Sequence, residues 1–189
     1  GKQAFGTAVV PGVSLTGMFT DARKEPFGPT DASAVRWDGL HVAGDRVQLN
    51  YTVAGSIAIH EQPSARQAGG QTVYVRTFQI GGGKKSGLFA RKTKTDTTFS
   101  LLLADVENGH GKLENGAAVV SANGVTTRVQ ATGLPKGASL KIEGGRVQLE
   151  IQIGTTTGGV FEVAVVSGSD SEVAQASGSL AGKPTFADL

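Results

Sequence analysis

The aromatic side chains are the residues of this 189-residue sequence with the clearest binding chemistry. An indole or phenol ring offers a flat apolar face with a polar edge, which suits stacking against a sugar ring. The sequence has one Trp and two Tyr, so the candidate platforms are few: Trp37, Tyr51 and Tyr74. A lone Trp beside a hydrophobic strand usually packs in the core, and we favour that interpretation for Trp37.

A run of basic residues follows the glycine-rich stretch at residues 81–83. Such a strip suits a polyanion, for example a sulfated glycan, or a partner protein with an acidic face. It is also typical of a solvated strand edge, where lysines discourage pairing between sheets. The glycine-rich stretch lacks the spacing of a Walker or dinucleotide-binding motif and is interpreted as a hairpin tip. The candidate ligand-binding residues in the strip are Lys84, Lys85, Arg91 and Lys92.

Motifs for catalysis and metal binding are missing from the sequence. There is no Ser-His-Asp order, no Gly-x-Ser-x-Gly elbow and no His-Glu-x-x-His segment, and sixteen scattered acids nominate no pair for glycoside hydrolysis. The catalytic residues, if any, are therefore unknown. The three histidines are dispersed, with none at metal-ligand spacing from another: His41, His60 and His110. We predict no metal site, and the alternative is one assembled across strands with Asp38, Asp45 or Asp105.

Composition excludes several classes of function. The absence of cysteine excludes disulfides, thiol nucleophiles, iron–sulfur clusters and a covalently attached c-type haem within these residues, so we predict no cofactor in this chain. A net charge of +2 gives little support to nucleic-acid binding. No apolar run approaches the roughly 18 residues that a membrane helix needs, and we predict no membrane span.

The elements that must position these side chains are strands. Hydrophobic and polar residues alternate through residues 46–53 and 146–153, as in half-buried strands. Eight further segments have strand character: residues 40–42, 57–60, 72–80, 99–106, 117–121, 125–131, 140–143 and 160–166. Glycine-rich turns separate them, and many of the 28 glycines lie there. We predict an all-β fold, an antiparallel β-sandwich or barrel-like structure of about ten strands, with a weak helix candidate at residues 169–176 that we do not favour.

The same pattern predicts three parts of the chain. Residues 1–35 are expected to form an N-terminal extended segment, and residues 36–168 the β-sandwich domain. Residues 169–189 are rich in Ser, Gly and Ala and are expected to be a C-terminal linker or tail.

Three segments carry a resemblance to a family: residues 21–29, Trp37–Val47 and Asn50–Gly55. Together they resemble an uncharacterised domain of large secreted proteins of planctomycetes and verrucomicrobia. In that family an aromatic-x-Gly-Leu-aromatic-x-x-Gly-Asp segment leads into a Val-x-Leu-Ser-Tyr-Thr-Val-Gly-Gly strand. This chain departs from that pattern at His41, Asn50 and Ala54.

What the resemblance implies is a context and no catalytic residue. Such domains belong to exported multidomain proteins, commonly with a dehydrogenase-like propeller and a c-type haem domain. We therefore expect a non-catalytic β-sandwich module of an exported bacterial redox protein, periplasmic or extracellular, which positions neighbouring domains of the same parent protein; any haem would lie elsewhere in that parent. One alternative is a carbohydrate-binding sandwich with a polysaccharide partner, and another is a polysaccharide-active hydrolase with a site assembled across strands.

Overall fold

The structure is a computed structural model that describes residues 12–19, 33–81, 98–152 and 159–189. Within these residues the chain forms twelve strands and one helix. In chain order they are β1 (Val13–Ser14), β2 (Val35–Ala43), β3 (Arg46–Val53), β4 (Ile57–Ala68), β5 (Gln71–Ile80), β6 (Thr98–Asp105), β7 (His110–Glu114), β8 (Ala117–Ala122), β9 (Val125–Thr132), β10 (Ala138–Glu143), β11 (Arg146–Gln152), β12 (Gly159–Gly168) and α1 (Asp170–Ser177).

The strands form two antiparallel sheets. The larger has the order β2-β3-β4-β5-β12-β9-β8-β7, and the smaller β1-β6-β11-β10. The prediction of an all-β antiparallel sandwich is confirmed, with twelve described strands in place of about ten. The two additional strands carry little pattern: β1 has two residues, and all five residues of β7 are exposed. A strand that buries no alternating apolar face leaves no period of two in the sequence.

Glycine and asparagine close the hairpins as their sequence positions indicated. Gly44 has φ 61°, and Asn123 and Gly124 have φ 52° and 76°, the left-handed values that tight two-residue turns require. The β10–β11 turn uses its two glycines differently. Gly144 supplies φ 58°, whereas a Cβ on Gly145 would overlap the Val106 carbonyl oxygen. That turn therefore needs one glycine for its conformation and one for close approach.

The main core lies between the inner faces of the two sheets. Phe78 of β5 and Phe161 of β12 stack there with ring centroids 4.9 Å apart. From the smaller sheet, Leu101 and Leu149 pack against them, both fully buried. Burying side chains of this size stabilises the fold by about 1.5–3 kcal/mol each.

The outer face of the larger sheet is partly covered by α1, which the sequence analysis did not favour. Ser169 caps the helix in a capping box with Glu172. Val173 and Ala176 are buried against β4, β5, β9 and β12, and they form a second apolar cluster with Val73 and Val166. Only two residues of the helix, Val173 and Ala176, are buried. The apolar pattern in the sequence is therefore too weak to distinguish a helix from a linker at this position.

The residues after α1 return across the outer face. The Arg66 guanidinium donates to Leu180 O at 2.8 Å, and Leu180 itself is buried. Farther along, the Gln62 amide donates to Ala187 O at 2.6 Å and accepts from Ala187 N at 3.1 Å. Residues 169–189, expected to be a linker or tail, thus contain a helix and a segment that binds the sheet. The division of the chain at residues 35 and 168 stays a prediction.

Strand β4 is longer than the alternation indicated. It was expected to end at His60 and instead runs to Ala68, through Pro63. The ladder between β3 and β4 ends at the Leu49–Glu61 pair, two residues before Pro63. The missing N–H of Pro63 therefore leaves no gap in that ladder.

The described part of the chain contains no helix with the length and apolar character of a membrane span.

Candidate functional site

A buried polar cluster of three residues lies on the inner face of the larger sheet. Glu61 of β4 accepts from Arg76 of β5 in a bidentate pair, with Nε to Oε1 at 2.7 Å and Nη2 to Oε2 at 3.1 Å. The Tyr51 hydroxyl of β3 donates to the same Oε2 at 3.1 Å. The Glu61 side chain is 7% exposed and that of Arg76 26%. Both carboxylate oxygens are therefore engaged from two neighbouring strands.

The guanidinium of Arg76 also bridges the two sheets. Its Nη1 donates to Leu102 O of β6 at 3.0 Å, and its Cζ lies 4.9 Å from the centroid of the Phe78 ring. A guanidinium has five N–H donors, and these contacts use three of them. Two donors on the terminal nitrogens have no acceptor among the described residues.

The electrostatics of the cluster keep Tyr51 and Arg76 each in one protonation state. Burial, and then the negative charge of Glu61, raise the pKa of Tyr51 well above its ordinary value, so its hydroxyl stays a donor. Burial works against the charge on Arg76, but the hydrogen bonds and charge of Glu61 outweigh it and raise the pKa of Arg76. The cluster therefore presents fixed donors throughout the neutral pH range.

A cleft of about 460 Å³ opens beside this cluster, between the two sheets. We call it the Trp37 cleft. Its wall is formed by the polar cluster and its remaining lining is mainly apolar: Gly12, Val13, Val35, Trp37, Leu49 and Leu102. A mainly apolar cleft with a few convergent polar groups is the usual form of a small-ligand site.

Trp37 lies at the mouth of the cleft with 60% of its surface exposed. It faces Tyr51 across the β2–β3 ladder, and the register shifts between Trp37 and Gly39. The interpretation of Trp37 as a core side chain is therefore wrong. Strand β2 is the first strand of the larger sheet, at its edge among the described residues, so its inner face is not packed as the central strands are.

The other two predicted aromatic platforms have different environments. Tyr51 is 8% exposed, so it contributes to the cleft wall and offers no open ring face. Tyr74 of β5 is 65% exposed but lies three strands from β2, roughly 14 Å away across the sheet alone. The structure thus brings Trp37 and Tyr51 together and leaves Tyr74 outside the cleft.

Among the described residues, the remaining sequence candidates do not line this cleft. Four others, Lys84, Lys85, Arg91 and Lys92, lie outside the described residues. On the outer face, His60 Nδ1 lies 2.5 Å from Asn50 Oδ1, and burial, followed by the nearby charge of His41, lowers the pKa of His60. Within the described ranges no group of three or more metal-ligating side chains is found.

Glu61 and Arg76 were not singled out by the sequence analysis. Both lie at inward positions of alternating strands: Glu61 follows Ile57 and Ile59, and Arg76 precedes Phe78 and Ile80. Opposite charges at the apolar positions of two strands joined by a short turn predict a buried ion pair. That pattern was available in the sequence.

Comparison with known proteins gives a partial family match. The sequence profile of a domain of unknown function (DUF6797) matches residues 1–61, which include β2 and β3. No curated protein matches the chain.

Among solved structures, a human-microbiome protein whose name is given as a kojibiose phosphorylase has TM-score 0.47 and 11% identity, over 71% of this chain and 20% of that one. A heparinase III has TM-score 0.42 and 10% identity, over 83% and 23%. A mutant of the heparan sulfate lyase HepC from Pedobacter heparinus has TM-score 0.41 and 10% identity, over 84% and 24%. The chain thus spans less than a quarter of these proteins, and likeness at this level carries no argument about activity.

Proposed function

We propose that this domain is a non-catalytic binding module that holds a saccharide in the Trp37 cleft. The observation that carries the proposal is the exposed Trp37 indole at the mouth of a cleft walled by Tyr51, Glu61 and Arg76. The proposal rests on the chemistry of these residues.

The cleft matches the two kinds of surface that a sugar ring presents. A pyranose has an apolar face of C–H groups and an edge of hydroxyls. The Trp37 indole offers a flat apolar surface for the first. The two N–H donors of Arg76 that have no acceptor among the described residues can bind the hydroxyl oxygens. Because Glu61 and Leu102 O already hold Arg76 in place, little side-chain entropy is lost on binding.

The lining favours binding over hydrolysis. Glycoside hydrolysis generally uses two carboxyl groups, about 5–9.5 Å apart, with one of them able to give up or take a proton. Among the described residues that line the cleft, Glu61 is the only one with a carboxyl group, and Arg76 and Tyr51 occupy both of its oxygens. This favours the module over the hydrolase that the sequence left open.

Tryptophan fluorescence provides a direct test, because Trp37 is the only Trp in the sequence. We expect emission from the free protein to be typical of a water-exposed indole. Titration with oligosaccharides of neutral glucans, xylan and sulfated glycosaminoglycans should give a saturable blue shift or quench with one of them. Affinity electrophoresis in gels that contain the parent polysaccharides measures the same binding without a probe.

Matched variants make the test specific to the cleft. Trp37→Ala should abolish retardation in the gel that retards the wild type. Tyr74→Ala removes another exposed aromatic ring of the same sheet outside the cleft and should leave the retardation unchanged. Equal behaviour of the two variants, or no saturable binding to any of these polysaccharides, would exclude the cleft as a saccharide site.

A second proposal is the role first expected from the sequence, that of a domain-positioning module in an exported multidomain redox protein. The exposed apolar side chains of Leu40 and Val42 favour the domain-positioning part of this role. In the parent protein, Leu40→Ser with Val42→Ser should then increase protease cleavage between this domain and its neighbour. Unchanged cleavage would contradict it, whatever the result for saccharides.

A further inference from the structure

Arg128 of β9 is a partly buried arginine without a carboxylate partner among the described residues. Four other arginines have an ion-paired acid: Arg36, Arg66, Arg76 and Arg146. The buried Nε of Arg128 has no hydrogen-bond partner among the described residues; the same is true of the Nε of Arg66 and Arg146, but each of those two binds a carboxylate through a terminal nitrogen. A guanidinium stays charged at any ordinary pH, and arginines are almost never fully buried unless they are paired.

This arginine borders a cavity of about 410 Å³ between the outer face of the larger sheet and α1. Lys112, Val119 and Arg128 are directly opposite one another on β7, β8 and β9 and lie along the cavity. The apolar side chain of Val119 therefore lies between the cationic residues Lys112 and Arg128. Val173 and Ser177 of α1 form part of the opposite wall.

The acids that border the cavity already have partners. Asp170 accepts the Thr126 hydroxyl at 2.5 Å. Glu114 lies 3.6 Å from the Lys112 ammonium in a pair that is largely exposed. The formal charges of these acids and of the two cations cancel, but the Arg128 head group is left without a specific acceptor.

We propose that the cavity binds a small oxyanion group, a carboxylate, sulfate or phosphate, through the guanidinium of Arg128. Such a group pairs with the planar N–H fork in two parallel hydrogen bonds. Lys112 adds attraction from β7, two strands away, and Val119 of the intervening β8 supports the carbon part of a larger ligand. This site lies on the outer face of the sheet, whereas the Trp37 cleft lies on the inner face.

The test is an NMR titration of the isotope-labelled protein with sodium acetate, sulfate and phosphate, each at constant ionic strength against chloride. Saturable changes in the amide shifts of Val119, Ser121 and Ser177 are expected with at least one anion. The anion that saturates distinguishes a carboxylate site from a tetrahedral one. No saturable change with any of the three would overturn the proposal.

Three variants assign the binding to the guanidinium. Arg128→Gln should weaken it at least tenfold, and Arg128→Lys, which retains charge but not the fork, should weaken it less. Arg46→Gln removes an exposed arginine elsewhere and should leave it unchanged. Glu114→Gln frees Lys112 and should tighten it. Unaltered binding in folded Arg128→Gln, or in Arg128→Lys if the first variant does not fold, would refute the assignment.

Discussion

The Glu61–Arg76 pair gives the sharpest prediction about stability. Glu61→Gln preserves the shape of the side chain but leaves the Arg76 guanidinium without its counter-charge. Removing one partner of a buried ion pair costs about 3–5 kcal/mol. Because the Arg76 side chain is 26% exposed and water relieves part of that cost, we expect about 3 kcal/mol. In a chain of this length, that loss lowers Tm by about 6–12 °C.

Urea unfolding, followed by circular dichroism, measures the change as a shift of the midpoint at constant slope. A double-mutant cycle with Arg76→Gln isolates the pair, and we expect the two substitutions to be non-additive by about 1.5 kcal/mol or more. Glu150→Gln is the control, since it breaks the Lys141–Glu150 pair, which has a similar distance of 2.7 Å but is more exposed. It should cost at most about 1 kcal/mol. If Glu61→Gln costs no more than Glu150→Gln, or if the cycle is additive, the Glu61–Arg76 pair does not stabilise the contact between β4 and β5.

Two further predictions concern a close contact and a titrating group. Gly145→Ala should lower the free energy of unfolding in urea by about 3 kcal/mol, because its Cβ would meet Val106 O. The control is Gly178→Ala: Gly178 has φ −64° and open space around it, so this change should be neutral or stabilising by up to about 1 kcal/mol. Equal losses of stability in the two variants would contradict the importance of the close contact at Gly145. The pKa of His60 is lower in the folded protein than the ordinary histidine pKa that applies in the unfolded chain. As the pH falls, the unfolded chain is therefore protonated first, and the free energy of unfolding should decrease as the pH is lowered from about 7.5 to about 5.5. His60→Gln should flatten that dependence, and a slope that is unchanged in His60→Gln would refute the assignment.

The strands could be predicted to the extent that they bury one face. Strand β3 matches the predicted segment because its inward residues are apolar and its outward residues polar, whereas exposed β7 and two-residue β1 offer no such contrast. Pro63 hid the second half of β4, since a proline normally argues against a strand interior. The predicted and observed strands thus differ where the local hydrophobic pattern does not reflect how the strand is buried in the fold.

The candidate site was predictable in its residue types but not in its arrangement. Trp37 and Tyr51 were proposed separately, and only the β2–β3 register, with its shift after Trp37, places them opposite each other. The exposure of Trp37 follows from its position on the first strand of the sheet, which composition does not reveal. The basic residues from Lys84 to Lys92 lie outside the described residues and stay a prediction.

The position of β12 has a consequence for how the chain is made. Strands β2 to β5 form one series of consecutive hairpins and β7 to β9 another, and only β12, near the end of the sequence, lies between them and pairs with both. During synthesis the larger sheet cannot be completed until residues 159–168 have been made, and until then β5 and β9 are unpaired edge strands. Closure through such distant partners is slow, and open edges attract other chains. We therefore expect nascent or truncated chains that lack β12 to be the species that aggregates and needs a chaperone.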